Sequence, residues 1–443
     1  VSTRSAALLA CGAILVALTV TGLLFQLENR LDHFLIVAAL QSAVYAIAVG
    51  TTWNGGSSRR MVLAIVAVAI TMRIAVAPAP PYLSSDIYRY VWDGHIEAAG
   101  FNPYRYAPTD TRLDALRDQR IYPEIASKDA PTIYPPFAEG IFLAVTRIHE
   151  SATALKIAMA ICDVITFFLL MRLLALEGLP TARVLIYAWH PLPLWEFAGS
   201  GHIDAVLIVC LLGALYAARR RRTGLSGLLL AAATLTKFYP AVVAPALYRR
   251  WGWRMPALFA AAIIAAYLPF VSAGPHVLGF LPGYAHQEGF DDAGAGFYLL
   301  DLLRHVPALA SLTARGYAAG AVVVLAALGI AVAFRRDRDR SPYAAAATLA
   351  ALFMVFVSPH YPWYFSWLIV FACFVRSSAL LWLTNACLLL YLVTGYVFLP
   401  SFQLLAIESL IYGPFAALAL VDVWCHRRAA ISSASRPRAE RSR

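Results

Sequence analysis

Charge is what this sequence has least of. Asp, Glu, Lys and Arg make up 14% of its 443 residues, hydrophobic residues 60%, and mean hydropathy is +0.67. A soluble domain carries about 25% charged residues, so this composition excludes a soluble globular protein. Polar–apolar alternation is missing from the apolar runs, which excludes a transmembrane β-barrel. There is no Gly-rich phosphate loop and no Rossmann unit, so a dinucleotide or nucleotide-sugar site of that kind is excluded. No internal repeat is visible, which argues against inverted-repeat transporters. The six cysteines (Cys11, Cys162, Cys210, Cys373, Cys387, Cys425) lie in apolar runs or at their ends, none at metal-ligand spacing. They read as small core residues, with no zinc site and no disulfide framework.

What is there is apolar sequence in runs of about 17–22 residues, the length that crosses a bilayer as a helix. Candidate spans are 6–25, 34–52, 61–79, 154–176, 183–198, 203–218, 224–236, 239–248, 254–272, 314–334, 342–357, 363–376, 378–399 and 404–424. The expected fold is an all-α polytopic membrane protein of about 12–14 spans. The first run reads as a retained span, with no small-residue cleavage site after it. The pair 224–236 and 239–248 is short for two crossings, and "LTKFYPAVVAPAL" reads equally as a kinked hairpin that stops partway.

The net charge of +11 does not point to nucleic acid. Its basic residues form short clusters between spans: Arg59-Arg60, Arg219 to Arg222, Arg249-Arg250-Arg254, Arg335-Arg336 and Arg427-Arg428. That is the positive-inside pattern, with both termini in the cytoplasm. One membrane domain is expected over 1–426, followed by a disordered basic tail over 427–443. The long polar segments then fall outside: 80–153, the tip "GSGHID" (199–204), 272–300 and "SPHYPWYF" (358–365).

The first outer segment opens with "SSDIYRYVWDGHIEAAGFNPYRY" (84–106). Ser84 and Ser85 offer N-caps; Gly100 and Asn102-Pro103 offer a stop, leaving about four helical turns between. Asp86, Tyr90, Asp93 and Glu97 fall on one stripe, with Ile87, Val91 and Ala98 on another. This predicts an interfacial amphipathic helix with an acidic face. Asp86 also suits the helix start electrostatically, and Asp93 and Glu97 can pair with Arg89 or Arg105. The segment ends in "IYPPFAEGIFLAVTRIH", too short to span and expected to lie in the interface.

Other polar residues sit where they are costly. Lys237 lies in the apolar hairpin, where an unpaired cation costs ~2.5–3.5 kcal/mol or more, so it either meets an anion or snorkels to the surface. His190 and Glu196 lie in a span with Pro191 and Pro193; Glu196 lines a polar site or pairs with His190 or Lys237. His202 and Asp204 sit on a Gly-flanked tip that binds a ligand or caps the next helix. His360 lies amid Tyr361, Trp363 and Tyr364, a ligand grip or an aromatic belt. Asp163 and Arg73 are a cavity pair or a structural ion pair. Asp291 and Asp292 read as a solvated loop, or as metal ligands with Glu288.

Four stretches, in order, resemble bacterial mannosyltransferase-like proteins of the GT-C superclass, including glycosyltransferase family 87. They are "SDIYRYVWDGHIEAAGFNPYRYAP" with "IYPPFAEGIF", then "WHPLPLWEFAGSGHIDA", "LTKFYP" and "SPHYPWYFSW". Ile203 stands where the family often has Asn. The resemblance implies a GT-C-like multi-span bundle with a long helical first extracytoplasmic loop. It implies transfer of a sugar, mannose first, from a polyprenyl-phosphate donor to a hydroxyl of a glycan or glycolipid, with inversion, at the outer face of the plasma membrane. Asp86 takes the place of the catalytic base, and Asp93 is the second candidate, orienting the acceptor. The expected substrate-binding set is Arg89, Tyr90, Asn102, Tyr104, Arg105, Tyr134, His190, Glu196, His202, Asp204, Lys237, His360, Tyr361 and Trp363. No cofactor, metal or nucleic acid is implied; the lipid bilayer is. The alternatives are a transporter or flippase of lipid-linked sugar, and a lipid-linked polysaccharide polymerase or ligase.

Overall fold

In hydrocarbon every backbone N–H and C=O needs a partner within the protein, and the helix supplies most of them locally. The computed structural model describes residues 3–53, 56–291, 296–335, 341–394 and 401–434, and no strand occurs among them. Six helices among these residues are long and apolar enough to cross a membrane: Thr3–Leu27, Leu31–Thr52, Ala152–Leu176, Arg254–His276, Ala314–Ala333 and Gln403–Cys425. The protein is thus a multi-span helical membrane protein. Residues 395–399 of the expected span 378–399 lie outside the described residues, as do Asp292, Arg336 and 435–443. The last helix runs over Ser401–Ala434, so the tail expected to be irregular from Arg427 is helical as far as it is described.

Helices α1 (Thr3–Leu27), α2 (Leu31–Thr52) and α3 (Arg59–Val76) begin the bundle. After the first outer segment, which carries α4 (Asp86–Ala98) and α5 (Pro136–Ile148), α6 (Ala152–Leu176) returns. The expected span 183–198 is not a continuous helix. It consists of short turns, one of them bounded by Pro191 and Pro193, and ends in a π-helical turn over Leu194–Gly199. It then bends by 119° into α7 (Asp204–Arg219). Nearly every residue of this stretch is buried, which is the condition for irregular backbone at membrane depth.

Side chains take over the hydrogen bonds this broken segment forfeits. The Tyr45 hydroxyl donates to the Ile186 carbonyl at 2.7 Å, and Arg73 Nη1 to that of Ala188 at 2.7 Å. The Trp189 indole N–H reaches Ile65 O at 2.8 Å, and that of Trp195 reaches Gln41 Oε1 at 2.8 Å. Arg73 Nε also donates to Asp163 at 2.6 Å, so Asp163 and Arg73 form a buried ion pair.

Two ends of the bundle are chemically distinct. At one end Arg4 bonds the Thr51 carbonyl, Ser57 accepts from the Ala182 N–H, Arg219 pairs with Glu177, and Ser377 bonds Asp422. Arg59-Arg60 begin α3 there, and Arg219 ends the helix Asp204–Arg219. At the other end the 80–153 segment, the tip 199–204, part of 272–291 and the 358–365 loop converge. The hairpin of α8 (Thr223–Thr234) and α9 (Ala244–Trp251) rises from the basic end and turns at Lys237. Twelve residues give about 18 Å, short of the ~30 Å hydrocarbon core, so this pair stops inside.

Helix α4 starts and stops where its sequence directs. Ser84, not Ser85, supplies the cap, its hydroxyl accepting from the Asp86 N–H at 3.2 Å. At the other end Phe101 N–H bonds Ile96 O and Gly100 N–H bonds Glu97 O, a Schellman closure that puts Gly100 at φ +87°. Its setting differs from expectation. It is not a surface helix with one wet stripe: Ile87, Tyr90, Val91, Trp92, Asp93 and Ile96 are all buried. The rest of the outer segment folds over it, and Trp92 and Ile96 pack with Leu113 and Ile125 in a small separate core.

The acidic stripe is therefore divided. Asp86 faces a cavity. Asp93 turns into the protein, where both carboxylate oxygens accept from Arg89 Nε at 2.7 and 2.9 Å. Glu139 of α5 is buried nearby and accepts from Thr132 Oγ1 at 2.6 Å. Burial raises the pKa of Asp93, Glu97 and Glu139, and the mutual repulsion of the acids raises Glu97 and Glu139 further. Glu97 reaches about 7. A carboxyl raised from its unfolded value of 4.5 holds a proton in the folded state that the unfolded chain releases. Stability is then lost as pH rises from 4.5 through about 7. Glu97→Gln should flatten that loss and stabilise the protein at pH 8 by about 1–2 kcal/mol, read as melting temperature in detergent from pH 5 to 8.

Candidate active site

A cavity of about 800 Å³ opens at the end of the bundle opposite the basic clusters. Segments far apart in the chain wall it, among them the turn carrying Asp32 and, later, Tyr391. The outer segment brings Asp86 and Tyr134, the α8–α9 turn Lys237, the loop after Arg254–His276 brings Tyr284 and Glu288, and the late loop Tyr361, Trp363 and Tyr364. Asp86 lines this recess, its side chain about a third exposed. Its Oδ2 accepts from the Tyr134 hydroxyl at 3.4 Å. Burial raises the Asp86 pKa above the ordinary carboxylate value; the nearby Lys237 charge opposes the rise, Asp204 adds to it, and bonds from Tyr134 and Ser84 lower it.

Beneath the cavity floor lies a second row of polar groups. His202 Nδ1 stands 3.9 Å from Asp86 Oδ2 and 3.4 Å from the Tyr90 hydroxyl. Its Nε2 faces Glu196 Oε2 at 3.4 Å, and the Tyr391 hydroxyl donates to the other Glu196 oxygen. Glu196 is thus held by His202 and Tyr391, not by His190 or Lys237. Asp204, at the first turn of α7, pairs with Lys237 Nζ at 2.8 Å and accepts from the Tyr239 hydroxyl at 2.5 Å. The tip 199–204 reaches this position because Gly201, at φ +78°, passes flat against α4: a Cβ there would meet Ile87 Cδ1 at 2.4 Å. Lys237 Nζ also lies 4.4 Å over the Tyr364 ring.

The structure brings Asp86, Arg89, Tyr134, Lys237, Tyr361 and Trp363 to the cavity wall, with Tyr90, Glu196, His202 and Asp204 directly behind it. Other expected binding residues serve the scaffold. Asp93 does not reach the cavity because Arg89 clamps it, and Arg89 itself spends its guanidinium on Asp93 and the Ala130 carbonyl at 3.0 Å. Asn102 ties its loop to Phe270 O and Ser272 Oγ, and the Tyr104 hydroxyl bonds the Tyr134 carbonyl at 2.6 Å. Arg105 is exposed against the Tyr106 ring. His190 caps its own broken turn, accepting the Leu192 N–H, while its Nε2 meets Thr384 and Asn385. His360 stands behind the wall, its Nδ1 3.1 Å from the cavity-lining Glu288.

Sequence reasoning missed Tyr284 and Tyr391, and read Glu288 only as a metal ligand beside Asp291. Asp291 instead meets His286. Among the described residues no three His, Cys, Asp or Glu side chains are placed to share a metal ion. Tyr391 lies in an apolar run and gains its role only from Glu196, far away in sequence. A tyrosine in mid-span that needs a hydroxyl partner was the one available signal.

Residues 43–253 match the family described as alpha-(1->6)-mannopyranosyltransferase, N-terminal domain. No curated protein and no solved structure matches the chain. Asp86, Tyr134, His202, Asp204 and Lys237 all lie within the matched residues.

The Lys237–Asp204 pair is buried, so its halves are unequal to the whole. Asp204→Leu, which strands the lysine, should destabilise the protein by about 3–5 kcal/mol. Adding Lys237→Met should recover most of that loss. Unfolding of the two variants in detergent checks the order.

Proposed function

We propose that this chain, a multi-span membrane glycosyltransferase of the mannosyltransferase-like GT-C superclass, moves a mannosyl group from a polyprenyl-phosphate donor to a hydroxyl of a glycan or glycolipid. The reaction takes place at the extracytoplasmic face of the plasma membrane. One observation carries this reading: a carboxylate, Asp86, and a membrane-depth lysine, Lys237, face a single cavity at the end away from the basic clusters. Positive clusters mark the cytoplasmic side, so the cavity end is outside.

The parts fit the chemistry in order. The acceptor hydroxyl gives its proton to an Asp86 carboxylate oxygen as its own oxygen bonds the anomeric carbon. The bond from that carbon to the phosphate oxygen breaks on the opposite face, and its electron pair leaves with the polyprenyl phosphate. The product has the inverted anomeric configuration; an α-linked product then requires a β-linked donor. Lys237 has three N–H donors, one engaged by Asp204, which leaves two for the phosphate as its charge grows. The neighbouring Tyr364 ring holds the ammonium in place.

Asp86 must be ionised to act. It sits at the first turn of α4, where the helix dipole favours the anion, and Lys237 does the same through space. Burial works against both, so the base loses activity at a pH above that of an ordinary aspartate.

Asp86→Asn should lower transfer by about 10²–10⁴-fold with normal protein levels. Wild-type turnover by that variant would remove Asp86 from the mechanism. The acid limb of kcat/KM should rise with pH, and Tyr134→Phe, which takes away a bond to the ionised form, should move that limb to higher pH. In proteoliposomes given polyprenyl-phosphate mannose, product should form without transbilayer movement of the donor; movement without product would mark a flippase.

A further inference from the structure

The cavity wall away from Lys237 has its own chemistry. Glu288 closes the short helix Leu281–Gln287 and lines the cavity, its side chain 8% exposed. One carboxylate oxygen accepts from the Tyr361 hydroxyl at 3.2 Å and the other faces His360 Nδ1 at 3.1 Å. The Tyr361 ring stacks on Trp363 with centroids 4.6 Å apart and planes at 18°. Trp363 stacks in turn on His202 at 4.1 Å and 21°. His202 is the group 3.9 Å from Asp86. A carboxylate, an aromatic stack and the base therefore stand in one line. Trp363 is covered on both faces and supports the stack; Tyr361 is its end ring.

Charge decides what this line can hold. The two cations of the wall, Lys237 and Arg89, are each paired with an acid, Asp204 and Asp93. Glu288, Asp86 and Asp32 face the same space. An acidic sugar set against Glu288 meets a like charge, with Lys237 left to the donor phosphate, whereas a neutral sugar offers hydroxyl donors to the carboxylate and C–H surface to a ring. Two bound donors leave Glu288 with acceptor capacity to spare, since a carboxylate has about four lone-pair sites. Glu288 and Tyr361 also lie beyond residues 43–253, the part that matches the mannopyranosyltransferase family and contains Asp86 and Lys237. The transfer machinery lies inside the matched part and this wall outside it.

We propose that Glu288 and Tyr361 form the subsite for the acceptor sugar that presents the attacking hydroxyl, and that Glu288 selects neutral sugars over acidic ones. Glu288 accepts hydrogen bonds from the hydroxyls that do not react. The assignment rests on the reading of Asp86 as base and Lys237 as donor site.

The test uses the full chain in detergent, polyprenyl-phosphate mannose as donor, and octyl mannosides of one to three residues against the matching octyl mannuronosides as acceptors. Glu288→Gln should raise the KM for the mannosides about 10- to 100-fold, the loss of hydrogen bonds to a charged group. Donor KM should stay at the wild-type value, and preference for mannoside over mannuronoside should fall by about tenfold or more. Glu288→Asp should recover part of the preference. Tyr361→Leu, which leaves the carboxylate in place, should raise acceptor KM and keep the preference. Wild-type acceptor KM and preference in Glu288→Gln would overturn the subsite, as would a rise confined to donor KM. Absence of any transfer by the wild type would overturn the underlying reading as well, and so separates the two failures.

Discussion

A lysine at membrane depth must have an anion beside it, and much of this structure follows from giving Lys237 one. The lysine sits at the turn of a hairpin too short to cross, so its charge cannot escape to either surface along its own helix. Asp204 meets it from the start of α7, where the helix dipole favours a carboxylate, and the Tyr239 hydroxyl takes up an Asp204 oxygen. For Asp204 to be there, the tip 199–204 must dip under α4, which only a glycine at 201 permits. For the tip to dip, the preceding segment cannot be a straight helix ending at the surface. The ion pair, the glycine and the broken segment are consequences of one another.

The broken segment is affordable because it is wrapped on all sides. Pro191 and Pro193 remove two N–H donors outright, and the turns around them leave carbonyls without helical partners. Tyr45, Arg73 and His190 meet the groups that are left. The same irregularity produces the π-helical turn that holds Glu196 under His202. Single-turn π segments recur at functional sites because they turn a side chain out of the usual helical register. Here the turned residue is an acid, and the histidine above it stands 3.9 Å from Asp86.

Some of this was legible in the residues. The limits of α4, the convergence of four polar segments on one end, and the stunted hairpin with its costly lysine all follow from caps, charge clusters and run lengths. The continuous span over 183–198 did not survive, because hydropathy reports burial and cannot tell a lipid-facing helix from irregular backbone buried in protein. The division of Asp86 from Asp93 was also hidden. Helical periodicity puts both on one stripe, but the stripe reading assumes water on one side, and later residues of the same segment, Ala130, Thr132 and Glu139, fill it around Asp93. Tyr391 and Glu288 were out of reach for a plainer reason: their partners, Glu196 and Tyr361, are distant in the chain. His190, Asn102 and Tyr104 show the reverse error, polar residues in a matching motif that are spent on their own backbone.

That division makes physical sense of α4. A base must keep its position while its charge changes, so its helix needs a seat that does not depend on that charge. Arg89 and Asp93 provide one a turn further on, where the guanidinium also grips the Ala130 carbonyl of the overlying loop. Trp92 and Ile96 add an apolar anchor on another side. Asp86 stands at the first turn of the helix, its carboxylate bonded by Tyr134 and Ser84, so the proton exchange we propose for it would leave the seat of the helix in place. Two aspartates of the same helix are thus placed oppositely: Asp93 is paired with Arg89 and fixes the frame, and Asp86, the base we propose, faces the cavity.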